Sequence, residues 1–473
     1  MKLCQRPHKG TNRPRRPTEF GAISPVASDR VRGNLARCLR AGTLTPNLME
    51  AVVGAANMRQ ALRRVKANKG SPGIDGRSTS ELPDYLMQHW PEIRKQPLEG
   101  TYQPLEGTYQ PLAVKRVELP KPDGGVRLLG IPTVLDRLVQ QAVLQVLTPL
   151  LDPTFLTSSY GFRPGKSAHQ ALEAAREHIA SGREWVVDLD LEKFFDRVNH
   201  DLLRGRLAKR IDDKRLLGLI RRYLEAGVML NGVVVECEEG TPQGGPLSPL
   251  LANVLLDDLD KELQRRGHRF CRYADDCNIY VRSQRAGERT MASVTRFLEM
   301  RLKLKVNRQK SAVDRPLRRK FLGYTLRKRQ GEICLSIAPK SKKRFAETVR
   351  RITKRNRGVS LERVLSELRS YTDGWVAYFW RAHTPSVFQQ FDEWIRRRLR
   401  GYQWKLWKTP RHRAKQLRKA KVGPWLAYGV AYNGEGPWRI AGCPAMTRAL
   451  SNERLRRLGY HSLYERYQAF ASL

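Results

Sequence analysis

FCRYADDCNIYV, running from Phe270 to Val281, sets Asp275 beside Asp276 inside an apolar, β-prone run. Two unit negative charges about 4 Å apart repel by roughly 4 kcal/mol at an effective dielectric near 20. A bound cation relieves that repulsion, so the pair points to a cation site on a strand or hairpin. A second acidic strand lies upstream. In VVDLDLEKFFD, Val186 to Asp196, alternation puts Asp188 and Asp190 on one face and Val187 and Leu189 on the other. One strand acid alone reads equally well as a satisfied polar group. Carboxylates from two separate segments favour convergence on hard divalent cations, and Mg²⁺ is commonly held by one or two carboxylates together with substrate phosphates. Two such ions about 3.5–4 Å apart form the clamp for in-line nucleotidyl transfer.

The 473 residues leave room for about three domain-sized units, and 40% are hydrophobic, so most of the chain is expected to fold. Apolar stretches such as VVDLDL and LSPLLANVLL fall short of the roughly 20 residues that a bilayer needs. The basic start, MKLCQRPHKGTNRPRRPTEF, lacks the apolar core of a signal peptide. Seven scattered cysteines form no Cys-x-x-Cys pair, which predicts reduced thiols in a cytosolic protein and argues against a zinc ribbon. With 88 Lys and Arg against 46 Asp and Glu, the net charge of +42 calls for a polyanionic partner, nucleic acid ahead of an anionic membrane surface.

Residues 1–46 read as a flexible basic leader, with folded chain from Asn47. A helical pattern runs to Leu82, broken at NKGSPGIDG, Asn68 to Gly76. The heptad Pro97 to Gln103 recurs letter for letter as Pro104 to Gln110; two copies make no solenoid and read as a duplication tolerated in a surface loop. LAVKRVELPKPDGGVRLLGIP reads as a β-hairpin turning at KPDGG. Strands and helices of α+β type follow, with the acidic motifs at strand ends. From Ile352 the chain turns helical and basic. Leu361, Val364, Leu365, Leu368, Trp375 and Phe379 recur on one face and read as core rather than as a stacking platform. Trp394 to Lys421 holds twelve Lys or Arg and no acid, with Trp394, Tyr402, Trp404 and Trp407 interleaved. That mixture suits a nucleic-acid backbone plus base stacking, with some of the rings left for the core. The tail from Val422 reads as a small, loop-rich appendage.

RYADD on a hairpin, DLDLEKFFD before it and GTPQGGPLSPLLAN between them resemble the palm motifs of a reverse transcriptase. NKGSPGIDG, LPKPDGGVRLLGIPTVLDRLVQQA, SSYGFRPGKSAH, FFDRVNHDLL, KLKVNRQKS and FLGYTL extend the match in order from Asn47 to Lys421. More narrowly, the chain resembles the proteins encoded within bacterial group II introns, reverse transcriptases that also act as splicing maturases. The resemblance implies an α+β right-hand polymerase. Fingers would span 47–180, palm 181–338, an α-helical thumb or maturase region 339–421, and a small DNA-binding-like appendage 422–473. It also implies that Asp190, Asp275 and Asp276 hold two catalytic Mg²⁺ ions; Asp188 fits the pattern less well. Phe195 matches the steric gate that selects dNTPs by clashing with a ribose 2′-hydroxyl, although by itself it reads equally as core. Lys121 and Arg127 match the cations that bind the incoming triphosphate, a task suited to a point charge and a planar fork; an exposed hairpin also carries such residues for solubility. Gln243 matches a contact to the nascent base pair or sugar, with Gly244 and Gly245 permitting close backbone approach. Lys310 resembles the lysine that assists the leaving group, and Phe321 to Tyr324 the strand that grips the primer end.

QGGPLSP is the form expected of group II intron proteins. After Lys421 stand one cysteine, Cys443, and one histidine, His461, too few for the family's optional endonuclease. That compact layout resembles the IIC-like introns and implies insertion at single-stranded or hairpin DNA. The family pattern carries one GTYQP block, so the second heptad is expected to lengthen a loop or to extend the preceding helix by about two turns. The expected partners are intron RNA, an RNA template with a DNA primer, and target DNA, with no membrane. The expected place is the bacterial cytoplasm, at the nucleoid when DNA is bound, and the oligomeric state is left open with a dimer among the options. The alternative is a reverse transcriptase recruited to repair, phage defence or CRISPR spacer acquisition. A splicing factor without polymerase activity is disfavoured by the intact Asp190, Asp275, Asp276, Gln243 and Lys310.

Overall fold

The computed structural model describes residues 47–99, 110–120, 126–230, 233–235, 239–241 and 244–472. Helices α1 (Leu48–Val52), α2 (Ala55–Ala67) and α3 (Leu82–Glu99) precede the hairpin β1 (Val114–Pro120) and β2 (Val126–Ile131). Then come α4 (Val134–Leu151), α5 (Ala168–Ala180), β3 (Trp185–Leu189), α6 (His200–Ala208), α7 (Lys214–Glu225), β4 (Val228–Leu230) and β5 (Val233–Val235). The next stretch is α8 (Ser248–Arg265), β6 (Arg269–Tyr273), β7 (Asp276–Val281), α9 (Gln284–Arg301) and β8 (Ala312–Asp314). Strands β9 (Lys320–Phe321), β10 (Tyr324–Arg329) and β11 (Glu332–Ile337) close the mixed part of the chain. Among the described residues no helix is long and apolar enough to cross a membrane. The doubled heptad begins inside α3, which runs on through Pro97 to Glu99; the rest of it up to residue 109 lies outside the described residues.

Three sheets organise these elements: β2-β1-β4-β5, β6-β7-β3-β8 and β11-β10-β9. The second is antiparallel throughout, with Leu189 opposite Cys277 and Asp188 opposite Asn278. Strand alternation gives it two apolar faces, and both are covered. Val187, Leu189, Phe270, Ile279 and Val281 join a core built on α4 and α8. Val186, Cys271 and Tyr280 face a second core, where α5 contributes Ala171, Leu172, Ala175 and Ile179. Ser167 starts α5 in a capping box with Gln170, which satisfies orphan N–H groups at both ends of that exchange.

The second core continues without a break into a helical region: α10 (Pro339–Ile352), α11 (Leu361–Phe379), α12 (Pro385–Leu406) and α13 (Pro410–Lys419). The stripe expected on α11 is buried: Leu361, Val364, Leu365, Leu368, Trp375 and Phe379 all lie in the core. The basic and aromatic run corrects the stacking expectation for most of its rings. Tyr402 (0% exposed), Trp404 (1%) and Trp407 (6%) are core residues, and only Trp394, half-buried with the Arg350 and Arg398 guanidinium groups near its ring, keeps a face near the surface. The tail also differs from the loop-rich appendage expected. It forms α14 (Pro424–Tyr432), α15 (Pro437–Ile440), α16 (Pro444–Ala449), α17 (Asn452–Arg457) and α18 (Leu463–Ala471), and these share the core of the helical region. The tie is Asp392, a buried carboxylate on α12 that accepts from the Tyr460 and Ser462 hydroxyls and from the N–H groups of Leu463 and Tyr464, capping α18.

Candidate active site

Tyr273 and Asp276 form the last pair of the β6–β7 hairpin, which leaves Ala274 and Asp275 as a two-residue turn. Ala274 sits at φ 58°, the left-handed region that costs a residue with a side chain about 1–3 kcal/mol unless its surroundings enforce it. The enforcing neighbour is the segment before α5. Tyr160 N–H donates to Arg272 O (2.9 Å), Arg272 N–H donates to Ser158 O (2.9 Å), and Gly161 lies directly against the turn.

Asp190 follows the last residue of β3, and Asp276 is the first residue of β7, one step beyond the Leu189–Cys277 pair. The two acidic motifs therefore meet at one end of the sheet, on the face opposite Val187 and Leu189. Asp276 is crowded by protein atoms on the sheet side yet exposed to water. Burial, then the like charges of Asp275, Asp188 and Asp190, pushes its carboxyl up to about 7, with Lys320 opposing. The backbone of Asp190 is fixed by the 306–311 loop: Asn307 N–H donates to its carbonyl (2.8 Å), and its own N–H donates to Ser311 Oγ (3.0 Å). That loop delivers Lys310, whose Nζ lies 3.3 Å from Asp190 Oδ2, a buried oxygen with no hydrogen-bond partner. Asp188 is held differently, by a fork from Arg319 at 2.9 Å (Nε) and 2.6 Å (Nη2); burial raises its carboxyl and Arg319 opposes the rise. Arg319 also donates to Lys310 O (2.8 Å), so Asp188 braces the loop that carries the lysine.

Phe195 is half-buried in a short 3₁₀ turn, Phe194–Arg197, edge-on to the buried Phe194 ring at 5.1 Å. Its carbonyl accepts from Thr241 N–H (2.6 Å), which ties the start of the TPQGG motif to the residue matched to the gate. Gly244, at φ 138°, permits a close approach as expected, but the neighbour is β2: an added Cβ would stand 2.6 Å from Gly130 O. Lys121 and Gln243 lie outside the described residues, as does the Arg127 side chain, whose backbone pairs with Leu119. In FLGY, Leu322 (φ 49°) and Gly323 (φ 80°) make the two-residue turn from β9 to β10. Tyr378 of α11 donates to Leu322 O (2.8 Å) and Ser341 of α10 to Gly323 O (2.9 Å). Sequence reasoning passed over Arg319, Ser311, Gly161 and Tyr378; of these only Gly161, in SSYGFRPGKSAH, and Ser311, in KLKVNRQKS, lay in motifs that carried a signal.

An orphaned buried carboxylate oxygen beside a carboxyl pushed to about 7 by burial and then by like charges fits a divalent cation. As the side chains stand, no three acidic, imidazole or thiol groups among the described residues are gathered closely enough to hold a metal ion. The description "Reverse transcriptase (RNA-dependent DNA polymerase)" fits residues 119–326, and "Group II intron, maturase-specific domain" fits residues 342–421. Protein YkfC of Escherichia coli (strain K12) is 32% identical over 335 residues, which cover 61% of this chain and 85% of that protein. Group II intron-encoded protein LtrA of Lactococcus lactis subsp. cremoris is 34% identical over 201 residues, 42% of this chain and 32% of LtrA. Retron Mx65 reverse transcriptase of Myxococcus xanthus is 32% identical over 208 residues, 42% of this chain and 47% of that protein. The matches thus span less than half of the latter two relatives.

Proposed function

The chain belongs to the family of group II intron-encoded reverse transcriptases and maturases, and from that premise we propose that it copies RNA into DNA for intron mobility and assists splicing of the intron RNA it binds. The observation that carries the polymerase half is the meeting of Asp190 and Asp276 at one end of the palm sheet, next to the Asp275 turn. Asp190, Asp275 and Asp276 would hold Mg²⁺, which when bound supplies Lewis-acid stabilisation of the reacting phosphate oxygens.

The chain's own residues do the rest. Lys310, its Nζ 3.3 Å from Asp190 Oδ2, would offer a proton to the leaving pyrophosphate of a dNTP. Phe195, its ring braced edge-on by Phe194, would exclude a 2′-hydroxyl. Lys121 and Arg127 would clamp the triphosphate, and Gln243 would touch the nascent pair. The Leu322–Gly323 turn would hold the primer end, with Tyr378 fixing it from the thumb. The maturase half rests on the match over residues 342–421 and on α10, which buries Phe345, Val349 and Ile352 and exposes Lys343, Arg344 and Arg351. Such a face suits RNA phosphates, and the match favours an intron partner over recruitment to repair or defence. Template, primer and target DNA complete the partners, in the bacterial cytoplasm and at the nucleoid.

The test is single-nucleotide extension of a DNA primer on an RNA template by the full chain, alongside intron RNA affinity and splicing. Asp275→Ala is expected to abolish extension while leaving RNA binding and splicing assistance in place. Equal loss of all three would sink this division of labour.

A further inference from the structure

The residue before the YADD turn is a fully buried arginine that no step above uses. Arg272 is 0% exposed, and all five of its N–H donors are taken. Nε and Nη2 grip both oxygens of the equally buried Asp260 at 2.7 Å each. The second Nη2 hydrogen goes to Ser159 Oγ (2.7 Å), and Nη1 donates to Asn253 Oδ1 (3.0 Å) and to Ala274 O (2.9 Å). Asn253 in turn donates to Gly161 O (2.9 Å).

One guanidinium thus joins three elements: α8 through Asp260 and Asn253, the 158–161 segment through Ser159, and the turn through the carbonyl that immediately precedes Asp275. The last bond is the informative one. A buried ion pair would serve packing without any contact to the turn. Here the same planar fork fixes the peptide that sets the direction of the two aspartates, and it does so at the residue held in the left-handed region.

We propose that Arg272 is a positioning residue for nucleotidyl transfer, acting through the Ala274 peptide to hold Asp275 and Asp276 in reacting geometry. The inference rests on the polymerase reading above. Lysine keeps the charge opposite Asp260 but lacks the fork, so it cannot make the Asp260, Ser159, Asn253 and Ala274 bonds together.

The test is Arg272→Lys in the full chain, with four readouts: kcat and KM for dNTP in single-nucleotide extension, template–primer affinity, and the thermal midpoint. A misplaced reacting group costs rate rather than binding, so kcat is expected to fall by about 10²-fold while template–primer affinity and KM change little. Ser159→Ala, which deletes one bond to the same guanidinium, is expected to lower kcat by a smaller factor with template–primer affinity unchanged and a modest fall in the thermal midpoint, and it carries the test if Arg272→Lys does not fold. Unchanged kcat in both variants would overturn the inference alone, as would a parallel fall of kcat, affinity and midpoint. Absence of extension by the unaltered chain would overturn the polymerase reading and the inference with it.

Discussion

Gly161→Ala is the smallest change that should disable the site without touching a charge. Gly161 does not sit at positive φ, so alanine meets no left-handed strain and the effect is steric. The added Cβ would stand 2.3 Å from Ala274 N, 3.0 Å from Tyr273 C and 3.1 Å from Ala274 Cα. Comfortable non-bonded contact lies at about 3.5–4.0 Å, so the two segments must part by about 1 Å. None of the three atoms belongs to a side chain that could rotate aside. Neither backbone is free to retreat: Asn253 holds Gly161 O, two backbone bonds join residues 158–160 to Arg272, and Arg272 holds Ala274 O.

The displacement therefore falls on the turn that carries Asp275 and Asp276. A misplacement of about 1 Å costs about 10²-fold in rate, while overpacking of this kind costs about 1–3 kcal/mol of stability, leaving the protein folded. The assay is single-nucleotide extension with RNA affinity measured in parallel. Gly205→Ala, on α6 with nothing within 4 Å of the added methyl, is the control that should leave rate and affinity alone. A Gly161→Ala protein with an unaltered extension rate would refute the view that this contact sets the turn.

Phe195→Ala should, on the proposed gate role, lower discrimination between dNTPs and NTPs by at least about tenfold; competitive incorporation on one template measures it, and unchanged discrimination would return Phe195 to the core reading. Asp213 supplies a pH prediction. Burial alone would raise its carboxyl, but bonds from Arg215 and from the N–H groups of Met49 and Leu216 outweigh that and hold it below the usual range. A depressed folded pKa gives stability that is present above the unfolded value, near 4, and is lost as pH falls through the folded one. Asp213→Asn should therefore unfold at lower temperature than the unaltered chain at pH 7, by about 1–3 kcal/mol, with the gap narrowing below about pH 4. A gap that stays constant across pH 3–7 would contradict the assignment.

The palm was legible because a strand's period is short and exact alternation leaves a visible trace. Val187 and Leu189 on one face and Asp188 and Asp190 on the other is the arrangement found, and the stripe from Leu361 to Phe379 is buried along α11 as its spacing predicted. The site's braces were not legible, because they depend on which distant segments meet. Asp188 and Arg319 are 131 positions apart, Ser159 and Arg272 are 113 apart, and no local pattern marks either pair. The basic run misled for a related reason. Charge along Trp394 to Lys421 is what a linear reading sees, while Tyr402, Trp404 and Trp407 face inward because α12 is covered by the helices that follow Val422. That cover is a shared apolar core fastened by Asp392, whose partners lie about 70 residues downstream.

The repulsion between adjoining aspartates is handled by distributing partners unequally over four carboxylates. Asp188 receives a two-pronged guanidinium and becomes a brace. Asp190 receives a single ammonium on a long, 68% exposed side chain, with one buried oxygen still lacking a hydrogen bond. Asp276 receives neither bond, and burial together with its like-charged neighbours raises its pKa, while half-buried Asp275 occupies the turn fixed from behind by Arg272. Among Asp188, Asp190 and Asp276, neutralisation thus falls from the residue inside β3 to the two at the open end of the sheet. A permanent ion pair at Asp276 or Asp190 would compete with a cation, whereas a flexible lysine can yield its place. The fixed charges, Arg319 and Arg272, act on backbone and loop instead, so that rigidity is supplied from outside the carboxylates proposed to hold the cation.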